Sequence, residues 1–427
     1  TKDLYTYNYW GSPVGISNTT SNNNNYTVAN VLRDGTDPNN VVDINYTTSG
    51  FDGNNGSPIT IADFWLFKYS NESGSFYDWQ QIRSTGNVLA GEGFTMKGVE
   101  NTNGSVALEQ NYTFEGKPNN GEISLPITED NEYLVGNPYA SALDANQFII
   151  DNAATITGTG ATNGTLYFWE HWGGGSHVTA EYQGGYATYN LSGAVPAAAL
   201  GVNTLGSGGT PTKLPGRYIP VGQGFFVSGE ATGNIVFNNG QRAFEKEGSN
   251  SIFVKNSTNA TSNTATEIDN RLKIRLGINS ASTIRRQILV TVDPNATAGM
   301  DYGYDAENVE SQIDDMFWML DNTKLSIQGI DTINEDSILP LGLQTSSDGD
   351  NTFKIDALEN VPEDLSIYLY DSETETYHDL RAGEVTLNLV AGDYFERFEI
   401  RFKNENNTEA LSVEDFEIDE TGIQYYY

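Results

Sequence analysis

The chain has 427 residues, 37% of them hydrophobic and 11% aromatic, enough to pack about two or three domains and too apolar to stay disordered. Its 57 acidic against 22 basic residues leave a net charge of −35, a field that repels phosphate backbones and anionic membranes and argues against nucleic acid as a partner. Cysteine is absent, which removes thiol catalysis, zinc–thiolate centres and disulfide staples. No apolar run approaches the roughly 18 residues that span a bilayer, so the chain is not expected to cross a membrane.

Tyr, Phe, Thr and Val recur in short runs punctuated by Gly and Asn, the pattern of an all-β protein built from sandwiches or barrels. The chain opens on polar Thr1-Lys2-Asp3 with no signal peptide in view, so a leader is expected to have been removed or the chain to be part of something longer. Residues 1–247 form an internally duplicated β domain, with repeats at about 1–120 and 121–247. The first copy carries Trp10-Gly11-Ser12-Pro13, Phe64-Trp65-Leu66-Phe67, Tyr77-Asp78-Trp79 and Gly91-Glu92-Gly93-Phe94. The second carries Val135-Gly136-Asn137-Pro138, Leu166-Tyr167-Phe168-Trp169, Tyr186-Ala187-Thr188-Tyr189 and Gly222-Gln223-Gly224-Phe225 in the same order. Pro13 and Pro138 lie 125 positions apart, and Phe94 and Phe225 lie 131 apart. That spacing is too long for a solenoid unit. In the Gly-x-Gly-Phe landmark the glycines admit a bulge or a close backbone approach at a strand entry, and the aromatic packs inward. The landmark lacks the third glycine and the helix of a phosphate loop.

Residues 248–268 read as a polar linker. From 269 to 403 the pattern alternates crisply, as in Leu272, Ile274 and Leu276 against Lys273, Arg275 and Gly277. Further strands are expected at Ile288–Val290, Leu325–Ile330, Leu365–Tyr370, Val385–Leu389 and Phe395–Phe402, and Ile313–Leu320 reads equally as strand or turn. Together they predict an antiparallel, jelly-roll-like β-sandwich. Residues 404–427 read as a linker and the start of a further domain, cut short inside the aromatic run Tyr425-Tyr426-Tyr427.

The stretch Asn295-Ala296-Thr297-Ala298-Gly299-Met300-Asp301-Tyr302-Gly303-Tyr304-Asp305-Ala306 resembles an element of large exported proteins of the Bacteroidota, where Ala-Thr-x-Gly-Phe-Asp-x-x-x-Asp-Ala opens a β-sandwich ahead of the type IX secretion sorting domain. Met300 stands where that family usually has Phe. Ile327-Gln328-Gly329, Ile338-Leu339-Pro340-Leu341-Gly342, Leu369-Tyr370-Asp371 and Arg397-Phe398-x-Ile400-x-Phe402 agree with it, as do the two N-terminal Gly-x-Pro motifs. The resemblance implies export by the type IX pathway to the cell surface or beyond it, and the lack of convergent reactive side chains points to a non-catalytic structural or stalk region of an adhesin-like protein. The resemblance further implies that the C-terminal region engages the type IX translocon and an outer-membrane carrier protein. Asp331-Thr332-Ile333 and Asp336-Ser337-Ile338 fit the Asp-Ser/Thr-apolar pattern of O-glycosylation in such proteins, which nominates Thr332 and Ser337.

Few residues offer chemistry. Of three histidines, His171 and His177 flank three glycines at a spacing that matches no standard zinc site and reads as a hairpin loop between core aromatics, while His378 is expected at the surface. No nucleophile elbow is present, and with so many acids a chance carboxylate pair says nothing of glycoside hydrolysis. Calcium, which takes oxygens from flexible loops, is the cofactor the composition best accommodates. Its candidate ligands are Asp293, Asp301 and Asp305 in one loop and Asp348 and Asp350 in another, with Asp34–Asn40 as a third candidate loop, although ordinary turns use the same residues. The alternative to a structural module is accordingly a carbohydrate- or calcium-dependent binding module recognising surface glycans.

Overall fold

The computed structural model describes residues 4–406 apart from 18–19, 101–109, 155–157, 174, 179–180, 200–210, 212 and 247–268. The expected linker at 248–268, and all but the first three residues of the 404–427 linker and further domain, lie outside the described residues. Strands hold 47% of the chain and helices 6%, so the fold is all-β.

In the N-terminal body β1 (Tyr7–Gly11) pairs antiparallel with β2 (Gly93–Lys97). The second half contains β3 (Glu132–Gly136), helix α1 (Ala145–Asn152), β4 (Leu166–Gly173), β5 (Gln183–Asn190), β6 (Gly193–Val195) and β7 (Gly224–Ser228). Asp144 starts α1 by accepting the backbone N–H groups of Asn146 and Gln147, the role a short acid plays at a helix N-cap. β3 pairs with β7 as β1 pairs with β2: Trp10 opposes Phe94 and Gly11 opposes Gly93, while Val135 opposes Phe225 and Gly136 opposes Gly224.

The halves also exchange contacts symmetrically. Gly11 N–H donates to Gly222 O at 2.9 Å, and Gly136 N–H donates to Gly91 O at 3.0 Å. Where they cross, a Cβ on Gly136 would sit 2.5 Å from Gly11 Cα, which only two glycines permit. The leading glycines of both Gly-x-Gly-Phe motifs, Gly91 and Gly222, adopt φ of +89° and +78°, and both following phenylalanines are fully buried.

The C-terminal body is one continuous sheet built from β8 (Lys273–Asn279), β9 (Arg285–Val292), β10 (Asp315–Leu320), β11 (Thr323–Ile330), β12 (Ile338–Thr345), β13 (Gly349–Glu359), β14 (Tyr368–Asp371), β15 (Thr376–Asp379), β16 (Val385–Leu389) and β17 (Gly392–Arg401). Their order is β15-β14-β17-β12-β10-β11-β9-β8-β13-β16. The two outermost strands, β15 and β16, follow one another in the chain, so the sheet curls back on itself around a single core that includes Ile274, Trp318, Leu341, Leu369 and Phe398.

Three details depart from the sequence expectations. β9 and β11 are parallel, because residues 293–314 carry the chain past one strand's width before β10 turns tightly into β11. Asp348–Asn351, expected as a loop, leads into the longest strand, with Asp350 opposite Asn388 and Asn351 opposite Leu387. His378, expected at the surface, sits half-buried in β15 opposite Leu369.

Candidate functional site

Two places concentrate polar groups. The first is the joint between the bodies. Ala199 and Arg285 form a two-way antiparallel bridge, with N–H···O distances of 2.8 and 2.9 Å. On the loop after β9, Gly303 N–H donates to Asn163 O at 2.9 Å and Gly303 O accepts from Leu191 N–H at 2.8 Å. Arg271 reaches Leu191 O, Arg275 reaches Ala194 O, and Thr291 Oγ1 donates to Ser192 O. Behind these bonds Val195 of β6 is buried with Leu289, Ala306 and Ile327 of the sandwich. Burying the Val, Leu and Ile side chains among them stabilises by about 1.5–3 kcal/mol each. Glu310 completes the joint by accepting Tyr186 N–H at 2.9 Å.

Asp293, Asp301 and Asp305 all lie in this joint, and their oxygens accept bonds from the protein's own donors. Asp293 takes Asn295 N–H and faces Arg271 at 2.7 Å, and Asp301 takes the amide and hydroxyl of Thr297. Asp305, 1% exposed, takes Asp301 N–H at 2.7 Å and Gly329 N–H at 2.8 Å; burial pushes its carboxyl up to about 7 against those two bonds. Asp348 accepts Ala391 N–H and Asp350 accepts Asn388 Nδ2–H, so these two face donors across the sheet. In the third loop Asp34 accepts from Thr36, Ile59 and Gln110; burial alone would raise its carboxyl, and these bonds bring it below its ordinary value. Among the described residues no group of three or more His, Asp or Glu side chains is arranged to hold a metal ion. Thr332 is exposed, and Ser337 is half-buried with its Oγ accepting Asn334 N–H.

The second place is an aromatic cluster where the repeats meet. Lys97, 2% exposed on β2, points its ammonium at the rings of Trp65, Tyr7 and Tyr182, at 3.6, 4.6 and 4.7 Å from their centroids. Such cation–π contacts favour the charged amine in a dry setting. Lys97 Nζ also meets Tyr182 Oη, and it lies 3.1 Å from His177 Nδ1. His177 Nε2 is 2.7 Å from Asp52 Oδ1, and its ring stacks on Trp65 at 4.9 Å. His171 accepts Tyr7 N–H on Nδ1 at 3.1 Å and directs Nε2 to Gly173 O at 2.6 Å. The sequence singled out both histidines but not Lys97 or Asp52, which lie 80 and 125 positions away from His177.

The sequence profile of a family described as a domain of unknown function, DUF8693, matches residues 14–402. The chain belongs to the DUF8693 family. No curated protein and no solved structure matches it. The DUF8693 match runs through both bodies and across the joint, so the aspartate loop and the aromatic cluster apart from Tyr7 lie within the family's extent. Among the described residues no DUF8693 helix is long and apolar enough to cross a membrane.

Proposed function

We propose that this DUF8693 chain is a non-catalytic structural module of an exported cell-surface protein, a stalk that folds outside the cell and displays what is attached to it. The joint carries this reading. Force applied along the chain meets a two-way backbone bridge, further cross-body hydrogen bonds and a shared apolar core. The polar groups that could do chemistry support it too. Two of the three histidines are engaged by the fold, and the joint's aspartates hold backbone amides in place. The route is read from the sequence resemblance: the type IX translocon and an outer-membrane carrier engage the C-terminal region. Deleting a translocon component in the native bacterium is expected to leave the protein inside the envelope, protected from added protease. Unchanged surface exposure in that strain would contradict the route.

One observation favours glycan binding as a second reading. Phe76 and Tyr77 are 70% and 91% exposed on a turn fixed by Ser75, with no basic residue among their neighbours in the chain from Asn71 to Gln80. Rings held out in this way can stack on the apolar face of a neutral sugar. Under this reading a glycan array gives saccharide signals that Tyr77→Ala removes. An array without signal, or one that Tyr77→Ala leaves unchanged, counts against it.

A further inference from the structure

We propose that His177 is an acid-released latch: neutral, it ties the β4–β5 connection of the second repeat to the first repeat, and protonated, it lets that connection go. The direction of the hydrogen bonds carries the argument. An ammonium only donates, so Lys97 requires Nδ1 of His177 to be a bare acceptor. The ring's one proton then sits on Nε2 and points at Asp52. A second proton would have to enter at Nδ1, where it faces the ammonium. It would abolish the acceptor and set two positive charges about 3 Å apart in an aromatic cage.

The groups around His177 come from several elements. Lys97 approaches from β2, Asp52 from the loop before Asn54, Tyr5 from the N-terminal segment at 4.9 Å, and Trp65 lies flat against the ring. Tyr182 joins through Lys97, Tyr7 shares the cage, and His171 packs on Tyr182 at 5.1 Å. On the connection itself Glu181 accepts from Ser176, one residue before His177. Among the described residues Asp52 is the carboxylate that these contacts bring to the ring, and it pairs with the nitrogen away from Lys97. Burial, aided by Lys97, holds His177 below the ordinary histidine value despite the bond to Asp52. The latch is therefore closed above the ordinary histidine pKa and opens as pH falls through the lower value of the folded protein.

The test uses the full chain. Histidine ring resonances are titrated by NMR, and hydrogen exchange of peptides covering 175–190 is compared at pH 7.5 and 5.0 after correction for intrinsic rates. His177 is expected to titrate below the ordinary histidine value, and exchange in those peptides to rise in acid by about tenfold for each unit by which the His177 pKa is displaced. In His177→Gln, which stays neutral, the acid-induced rise disappears. Lys97→Met, which removes the opposing charge, moves the His177 titration back toward the ordinary histidine value. The proposal is overturned if wild-type peptides exchange equally at both pH values, if His177→Gln keeps the wild-type response, or if His177 titrates at or above the ordinary histidine value. The wild-type titration reads the latch even if a variant fails to fold.

Discussion

At the scale of single residues, Gly11 and Gly136 set the strictest condition on the N-terminal body, because each backbone occupies the space of the other's missing side chain. Gly136→Ala is therefore expected to destabilise by about 1–3 kcal/mol or more through forced separation of the repeats, read as a lowered denaturation midpoint. Asp305 gives a second expectation. Its carboxyl is raised to about 7 from 3.8, so what the protonated form contributes is complete below its ordinary value and lost as pH rises through about 7. Asp305→Asn should then cost more stability at pH 4.5 than at pH 8 in paired denaturant titrations. A cost that grows with pH would show instead that the two amide bonds favour the ionised form. The roles of these residues were unevenly legible. The glycine and phenylalanine landmarks could be read because only glycine tolerates positive φ or such close approach, and both properties leave a residue-type signature. Asp305 carried no such mark, since a turn aspartate, a metal ligand and a buried amide acceptor look alike in sequence.

Among elements, the buried ion pair between β9 and β10 decides how the crossover lies. Arg286 and Asp315, 4% and 0% exposed, form a bidentate pair at 2.7 and 3.0 Å, and Arg286 also donates to Glu310 O. That bond fixes the loop from which Glu310 reaches Tyr186 on β5. Asp315→Ala leaves the guanidinium uncompensated and is expected to cost about 3–5 kcal/mol, measured by chemical denaturation. Strands with alternating apolar residues, such as β8, β11 and β16, were visible because one face meets the core. The start of β13 was not, because Gly349, Asp350 and Asn351 are turn formers by propensity and tertiary pairing with β16 overrides that preference. Helix α1 was also missed; eight residues of mixed character between strands give too little periodicity. The joint stayed hidden for a different reason. Its key acceptors are the backbone carbonyls of Leu191, Ser192 and Ala194, and a carbonyl has no residue type.

For the whole molecule, −35 charges oppose compaction, and what resists them is distributed across both bodies and the joint. Ion pairs thread the outer face of the sandwich, where Arg271, Lys273 and Arg275 meet Asp269, Asp293 and Glu359 beside the joint. On the proposed stalk reading the repeats and the sandwich take up force as one body. Scanning calorimetry of the full chain tests it most directly, with Ala199→Pro, which deletes the N–H that donates to Arg285 O, as the comparison. One transition is expected whose calorimetric and van't Hoff enthalpies agree, moved as a whole to lower temperature by the substitution. Two resolved transitions in the wild type, with Ala199→Pro leaving both in place, would contradict it.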